Sequence, residues 1–300
     1  MLAAALSFFV ILGVPAPDTV KEIYEISCFD DGTVIGVAGA FRVAWWEGSA
    51  WRSSSIRGGH LWHSPDDRVF VVDSGQVVEE LGREPKSLTR WHLASEIGYP
   101  RLIALDGIVA VTNYRMLRLA PAGRIVDLGR APVAPDGFRH QPVVFDDRGR
   151  RIMCYGTSDR EQDAGQGFCF APSPNKYDYP ADFGDWSPDH DKYVTPFRCG
   201  GAIVSTHRGV TRARDLVTGK VLGQAPVGAL RGSSCLPGER AFLVGEHDVS
   251  IVEVPGLRTT WRRSLRVASG NAAVCGNRVA FVREHETAVN FIELPPGPSN

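Results

Sequence analysis

An all-β fold, a seven-bladed β-propeller, is predicted by a strand-only repeat of about 40 residues along the chain. The clearest copies are Cys-Leu-Pro-Gly-Glu-Arg-Ala-Phe-Leu-Val-Gly-Glu-His at 235–247 and Cys-Gly-Asn-Arg-Val-Ala-Phe-Val-Arg-Glu-His at 275–285. In each copy a first β-run precedes a turn with Gly or Asn, residues that tolerate the left-handed conformations of hairpin turns. The second run is almost continuously apolar, as expected for a strand covered on both faces by neighbouring sheets.

Seven first runs mark the repeats, and they are expected at 26–28, 61–63, 102–104, 142–145, 195–197, 233–235 and 272–274. Their spacing is even except for one longer interval between the fourth and fifth runs. Six blades is the alternative if that interval is misread. The last repeat lacks a fourth strand, whereas residues 19–25 read as a strand without a blade. Pairing 19–25 with 289–294 would complete the last blade, close the ring and remove open sheet edges.

Two short segments resemble turns of known propeller repeats. His63-Ser-Pro-Asp-Asp-Arg-Val-Phe-Val and Trp186-Ser-Pro-Asp-His-Asp-Lys-Tyr-Val are similar to the Ser-Pro-Asp-Gly turn of TolB-like and WD-type repeats, with Asp67 or His190 at the usual Gly position. Ala213-Arg-Asp-Leu-Val-Thr-Gly-Lys-Val-Leu resembles the Asp…Thr-Gly-Lys turn of quinoprotein-like repeats. These resemblances imply propeller blades; they transfer no catalytic residue and no quinone cofactor.

Composition and motifs exclude several function classes. The 300 residues carry a formal net charge of −1 and scattered charges, so the basic stripe of a nucleic-acid binder is missing and no nucleic-acid partner is expected. The sequence contains no Gly-x-Ser-x-Gly elbow, P-loop or dinucleotide fingerprint. We therefore predict no cofactor. The enzyme question stays open, leaning towards a protein without catalytic activity.

Residues 1–17 form an apolar segment that is signal-like or anchoring, ahead of a single propeller domain at 18–297. The run 2–14 is too short to span a bilayer comfortably and has the length of a signal-peptide core, with small residues before a cleavage point after Ala16. Against cleavage, the first basic residue is Lys21 and Pro17 would follow the cut. The prediction is export to the periplasm or the extracellular space, with membrane association through residues 2–14 if the segment is retained.

Six cysteines suit an exported chain. Cys154 and Cys169 flank a Gly- and Asp-rich loop that would join neighbouring strands, so a disulfide between them is predicted. The other four cysteines end the first runs of their repeats, at positions 28, 199, 235 and 275, and are expected to be small buried apolar residues.

One face of the predicted propeller carries the candidate binding residues. In such folds the connections between blades share a face with those between second and third strands, which brings together His60, Tyr99, Arg139, His140 and Arg231. The longest departure from the repeat, 159–191, adds the aromatic residues Tyr177, Tyr179 and Trp186. Long loops in compact domains are usually functional, and aromatic residues are enriched at interfaces.

A metal site is not expected from the three histidines that recur in successive repeats, at 207, 247 and 285. Packed sheets lie about 10 Å apart, whereas two nitrogens on one zinc ion lie within roughly 4 Å of each other. Equivalent positions on neighbouring blades therefore cannot share an ion.

Three functions remain in competition. The first is a non-catalytic exported propeller that binds a protein partner or serves in assembly, through the face with Arg139, His140 and the 159–191 loop. The second is a lyase or hydrolase whose site lies at the central channel mouth, with His60, His140 and Arg231 as acid–base and anion-stabilising groups. The third is a carbohydrate binder that uses the aromatic residues between 177 and 186.

Overall fold

A computed structural model describes residues 20–295, except 21, 65, 74–76, 94–99, 106, 113–114, 131–142, 148–149, 159–164, 173–176, 179–196, 208, 216–219, 229, 237, 246, 266–268 and 284–285. Within these ranges the chain is built of antiparallel strands, with two short 3₁₀ turns at Gly39–Phe41 and Pro121–Gly123. In that part of the chain no helix is long and apolar enough to cross a membrane. The all-β prediction is confirmed.

Each of the first four sheets has four strands that follow one another along the chain. The first sheet contains β1 (Ile23–Cys28), β2 (Val34–Ala38), β3 (Arg42–Trp46) and β4 (Trp51–Arg57). The second contains β5 (His60–His63), β6 (Val69–Val72), β7 (Val77–Leu81) and β8 (Ser87–His92). The third contains β9 (Arg101–Leu105), β10 (Gly107–Val111), β11 (Arg115–Leu119) and β12 (Ile125–Arg130). The fourth contains β13 (Val143–Asp147), β14 (Arg150–Ser158), β15 (Gly165–Pro172) and β16 (Tyr177–Asp178).

The remaining three sheets repeat this order, but the last has only three described strands. The fifth contains β17 (Phe197–Cys199), β18 (Ala202–His207), β19 (Val210–Asp215) and β20 (Val221–Pro226). The sixth contains β21 (Leu230–Leu236), β22 (Arg240–Gly245), β23 (Asp248–Glu253) and β24 (Arg258–Ser264). The seventh contains β25 (Ser269–Cys275), β26 (Arg278–Arg283) and β27 (Val289–Glu293). Each predicted first run thus lies in, or overlaps, the first strand of a different sheet.

Buried apolar layers join consecutive sheets. Trp45 and Val37 of the first sheet pack with Val71 of the second, and Leu243 of the sixth packs with Val204 of the fifth. Every residue of β2 and of β6 is buried, which explains why these segments are continuously apolar instead of alternating. Full burial of one such side chain contributes about 1.5–3 kcal/mol, so these layers hold the sheets together.

The predicted closing strand at 19–25 is not confirmed. Residues 23–25 are the beginning of β1, which pairs with β2 from Ile23 opposite Ala38 to Cys28 opposite Val34. Among the described strands β27 pairs with β26 alone. The apolar residues at 23 and 26 belong to the core between the seventh and first sheets, so this segment is an innermost strand and not an outermost one.

The prediction that four cysteines are only small buried residues is wrong. Cys28 of β1 is bonded to Cys275 of β25, and Cys199 of β17 is bonded to Cys235 of β21. Each bond links the ends of the first strands of neighbouring sheets, with Cα atoms 5.3 and 5.2 Å apart. Equivalent positions in adjacent repeats face each other across the sheet interface, which the order of the cysteines along the chain does not reveal.

The predicted pair Cys154 and Cys169 lies in the fourth sheet. The two residues are directly opposite each other in the antiparallel ladder of β14 and β15. This backbone register brings the two positions together as the disulfide requires, while the bond itself stays a prediction.

Candidate functional site

The connections between strands define two faces. The first face carries the links between sheets and the connections from second to third strands; the second face carries the turns from first to second and from third to fourth strands. Contacts between the first two sheets confirm that neighbouring sheets share these faces: His60 meets Glu25 at one end, and Arg83 meets Asp31 at the other.

An exposed aromatic pair lies on the first face, where the binding residues were predicted. Tyr24 at the start of β1 and Phe41 after β2 are 47% and 57% exposed, and their ring centroids are 6.1 Å apart. Beside them, His60 Nδ1 lies 3.2 Å from Glu25 Oε2. We call these four residues, Tyr24, Glu25, Phe41 and His60, the first-face patch. Exposed aromatic residues of this kind are enriched at protein interfaces.

The backbone presents Phe41 in an unusual way. Ala40 and Phe41 both have left-handed conformations, with φ values of 59° and 55°. Such a conformation is uncommon for a bulky residue, costs of the order of 1–3 kcal/mol, and is found mainly at functional positions. The surrounding chain holds it, because the Phe41 carbonyl accepts a hydrogen bond from Gly58 N at 2.9 Å.

The acidic Glu22 next to the patch influences its tyrosine. A hydrogen bond to the Glu22 carboxylate, together with its negative charge, raises the pKa of Tyr24 above its ordinary value. The Tyr24 hydroxyl therefore already has Glu22 as its partner, while the ring stays exposed beside Phe41.

The second face carries the Ser-Pro-Asp turn predicted to be a blade turn. Asp67, at the position where related repeats have glycine, is left-handed with φ 57°. Ser64 Oγ accepts a hydrogen bond from Arg68 N at 3.1 Å and donates to Asp66, and this bond lowers the pKa of the Asp66 carboxyl. Aspartate tolerates the left-handed conformation better than most residues, so it replaces glycine and also supplies a carboxylate.

That carboxylate joins the first two sheets. Asp67 Oδ1 accepts from Asp30 N at 2.8 Å and lies 3.1 Å from His63 Nε2, while Oδ2 accepts from Arg83 Nη2 at 2.5 Å. Asp30, His63 and Asp67 each offer one atom that could bind a metal ion, and these three atoms lie within 4.8 Å of one another. Because the Asp67 oxygens already have three partners, we interpret this cluster as a structural contact that holds the first two sheets together.

Arg83 adds further contacts between the first two sheets. Its guanidinium lies 4.6 Å above the ring of Phe29 and donates to Asp31 Oδ2 at 2.6 Å. Partial burial of Asp31 opposes ionisation, but hydrogen bonds from Thr33 and Arg83 prevail and lower the pKa of the Asp31 carboxyl. These contacts of Asp67 and Arg83 hold the first and second sheets together on the second face.

A cleft of about 450 Å³ separates the outer strands of the first two sheets. The carboxylate of Glu79 is buried on its floor and binds Arg90 Nη2 at 2.7 Å. Arg52 and Lys86 stand at its rim. The positive charge of Arg90 compensates the buried negative charge of Glu79, which explains how this carboxylate can be buried in the cleft.

The described part of the last sheet ends in an exposed edge. A groove of about 520 Å³ follows β27 and is lined by Arg263, Leu265, Arg283, Asn290 and Phe291, among others. Phe291 is 37% exposed, with the Arg278 guanidinium 4.9 Å above its ring.

The binding roles predicted from the sequence stay predictions. His60 lies on the first face, in contact with Glu25. Arg231 is in β21 and Tyr177 in β16, but their side chains are outside the described residues. Tyr99, Arg139, His140, Tyr179 and Trp186 lie outside the described residues altogether.

Sequence reasoning missed Tyr24 and Phe41. Tyr24 lies in the segment that was predicted to be a closing strand, and Phe41 was not among the candidate residues. Neither alanine at 40 nor phenylalanine at 41 favours left-handed backbone, so the residue types gave no local signal for this turn.

Comparison with solved structures supports the architecture. The chain is similar to BamB from Moraxella catarrhalis, with a TM-score of 0.56 and 14% identity over 93% of this chain and 85% of that one. It is similar to the WD40 β-propeller domain of Doa1, with a TM-score of 0.60 and 13% identity over 92% and 94%. It is also similar to Saccharomyces cerevisiae Sqt1, with a TM-score of 0.54 and 8% identity over 89% and 82%.

These similarities and the consecutive antiparallel sheets define the class of protein: a β-propeller. The predicted resemblance to propeller repeats is confirmed at the level of the fold. No family model and no curated protein matches the chain, so the comparisons establish the fold alone.

Proposed function

We propose that this chain is a non-catalytic, exported β-propeller that binds a protein partner through its first face. The observation that carries the proposal is the first-face patch, where Tyr24 and Phe41 are exposed as a pair beside His60 and Glu25. Aromatic residues held rigidly at a surface supply large contact area at a small cost in conformational entropy. The left-handed backbone at Phe41 fits a side chain presented for contact.

The proposed architecture is a seven-bladed ring. Seven sheets are described, and consecutive sheets are in contact, including the seventh with the first. At that junction Trp51 Nε1 donates to Thr287 O at 2.5 Å, and Cys28 is bonded to Cys275. A closed ring gives the first face a fixed geometry and suits it to present several connections to one partner.

Export is supported by the cysteines. Disulfides form and persist in oxidising compartments and are rare in reducing ones. The bonds of Cys28 with Cys275 and of Cys199 with Cys235 therefore favour the periplasm or the extracellular space. The signal-like or anchoring role of residues 1–17, and membrane association through 2–14, remain predictions.

The wider interface proposed from the sequence, with Arg139, His140 and the 159–191 loop, would lie on the same face as the first-face patch. The lyase or hydrolase alternative depends on His60, His140 and Arg231, and the carbohydrate alternative depends on residues 177–186. Of these, His60 has a described side chain, and the Glu25 carboxylate is one of its contacts. Both alternatives remain predictions.

The proposal is tested by affinity purification from the native cell with crosslinking and mass spectrometry, using the wild-type chain and the double variant Tyr24→Ser/Phe41→Gly. A stoichiometric partner crosslinked to the first face, with at least a tenfold loss of binding in the double variant, is the expected result. Glycine at 41 suits the left-handed backbone, so the variant should remain folded.

Leu88→Ser is the matched control, because Leu88 is also exposed, at 54%, but lies on the outer strand β8. It should bind like the wild-type chain. An equal loss in both variants, or a partner that binds the double variant unchanged, would contradict a binding role for the first-face patch.

A further inference from the structure

The groove of about 520 Å³ where the sixth and seventh sheets meet has the size of a ligand pocket, and we call it the β27 groove. Three apolar residues among its lining, Leu265, Phe281 and Ile292, belong to the packing between these two sheets. Phe281 and Ile292 are buried in that core, and Leu265 packs against it. The groove therefore has an apolar floor whose position is fixed by both sheets.

Strand alternation directs one arginine from each sheet towards the β27 groove. In the sixth sheet Arg263 lies opposite Val249, which belongs to the core between the sixth and seventh sheets, so both side chains point to that interface. In the seventh sheet Arg283 follows Phe281 by two residues on β26 and therefore points towards the sixth sheet, as Phe281 does. Both arginines line the groove, so their guanidinium groups border it from opposite sheets.

The positive charges of these two arginines have little compensation nearby. Arg263 is exposed and forms no ion pair with a described residue. Arg283 Nη1 lies 3.6 Å from Glu286 Oε1, which is beyond hydrogen-bond distance, and exposed ion pairs of this kind contribute little. The described residues that line the groove include no carboxylate, whereas the cleft between the first two sheets contains Glu79. The β27 groove therefore carries positive charge that a bound anion would compensate.

The other arginines of β24 show that Arg263 is an exception on its own strand. Arg262 Nε donates to Asp248 Oδ2 at 2.6 Å, and Arg258 Nη2 donates to Glu253 Oε2 at 2.7 Å. Both carboxylates belong to the neighbouring strand β23. The sixth sheet thus pairs the two arginines at 258 and 262 with its own acidic residues, and within the described part of the chain it leaves the arginine that borders the groove without such a partner.

The arginines border the β27 groove at its first-face end. Arg263 comes just before the end of β24, from which the chain continues to the seventh sheet, and Arg283 is the last residue of β26. Both following connections, a link between sheets and one from a second to a third strand, belong to the first face. The connection after β26 also contains Thr287, whose carbonyl accepts the hydrogen bond from Trp51 of the first sheet. The groove and the first-face patch therefore lie on the same face.

We propose that the β27 groove binds an acidic segment of the protein partner, with Arg263 and Arg283 holding a carboxylate of that segment. The inference rests on the proposed function, because it specifies the chemistry of the partner that the first face binds. Guanidinium groups suit this ligand, since their planar donors form two parallel hydrogen bonds to one carboxylate. The apolar floor contacts the side chain next to the carboxylate, so an acidic residue beside an apolar one fits the groove best.

Titration of the full chain with an octaglutamate peptide tests the chemistry of the groove without the partner. The protein is labelled with ¹⁵N-arginine, and the Nε–Hε resonances are assigned from single Arg→Gln variants. At low ionic strength the resonances of Arg263 and Arg283 should shift to saturation, and high ionic strength should abolish the shift. Arg262 and an octaglutamine peptide are the matched controls, and neither should show a shift. No shift at Arg263 and Arg283, or an equal shift at Arg262, overturns the proposal.

Binding of the crosslinked partner tests the role of the groove in the interface. Arg263→Gln/Arg283→Gln should weaken binding by about tenfold or more and make it less dependent on salt. Arg258→Gln/Arg262→Gln removes the same charge from the outer strand of the sixth sheet and should bind like the wild-type chain. Far-UV circular dichroism and thermal unfolding confirm that both variants are folded.

The variants separate this inference from the proposed function. If Tyr24→Ser/Phe41→Gly loses the partner and Arg263→Gln/Arg283→Gln keeps it, the groove proposal is overturned and the proposed function stands. If neither variant loses the partner, both are overturned. An equal loss in the two arginine variants would assign the effect to the net charge of the protein, and this result also overturns the groove proposal.

Discussion

The two disulfides among the described residues differ in the length of chain that each one closes, and this difference allows a quantitative test of how they stabilise the fold. Cys28 and Cys275 are separated by 247 positions, and Cys199 and Cys235 by 36. A crosslink stabilises mainly by reducing the entropy of the unfolded chain, and this effect increases with the logarithm of the loop length. The perturbation is the removal of each bond by a pair of Cys→Ala substitutions.

Loop closure predicts about 5.5 kcal/mol for the bond between Cys28 and Cys275, and about 3.8 kcal/mol for the bond between Cys199 and Cys235, a difference of about 1.7 kcal/mol. All four residues are in the first strands of their sheets, and both bonds join neighbouring sheets. Each double variant is therefore the matched control for the other. The loss of side-chain packing is similar in the two, so the difference in unfolding free energy reports on the loops.

Guanidinium unfolding followed by tryptophan fluorescence and far-UV circular dichroism measures both variants, and coincident transitions justify a two-state treatment. We expect Cys28→Ala/Cys275→Ala to be the less stable variant. If Cys199→Ala/Cys235→Ala loses as much stability or more, loop closure between the first and last sheets is not what stabilises the ring.

Three further predictions follow from single contacts. Asp67→Ala should destabilise more than Asp67→Gly by about 1 kcal/mol in thermal unfolding, because both remove the carboxylate but only alanine is strained at φ 57°; equal losses would mean that the backbone is not strained. Trp45→Phe should cost about 1–3 kcal/mol in urea unfolding by removing the 3.0 Å hydrogen bond to Gly82 O, and a smaller loss would contradict that role. The lowered pKa of Asp66 contributes stability above about pH 4 that is lost as the pH falls through the folded-state pKa. Ser64→Ala should reduce this acid dependence, and an unchanged pH profile would exclude the serine hydroxyl as its cause.

The sequence by itself determined the strands and their grouping. Two local signals predicted the first and second strands, and the structure confirms these strands. One signal is a continuous apolar run, as at 69–72 and 241–244, and the other is a turn that contains Gly or Asp. These signals are local, since each depends on a few adjacent residues whose conformations are limited by hairpin geometry and by burial on both faces. The turn at Asp67 belongs with them, because aspartate can take the place of glycine in left-handed backbone.

The tertiary structure decided what depends on positions distant along the chain. That Cys28 bonds to Cys275, and that residues 23–25 begin an innermost strand, follow only when the seventh sheet is placed against the first. The first-face patch arises in the same way, since Tyr24 comes from β1, Phe41 from the turn after β2 and His60 from another sheet. The periodicity of the sequence indicates which residues of a strand are buried. The packing of whole sheets decides which strands lie next to each other. The candidate site lies where strands of neighbouring sheets meet, so it depends on that packing.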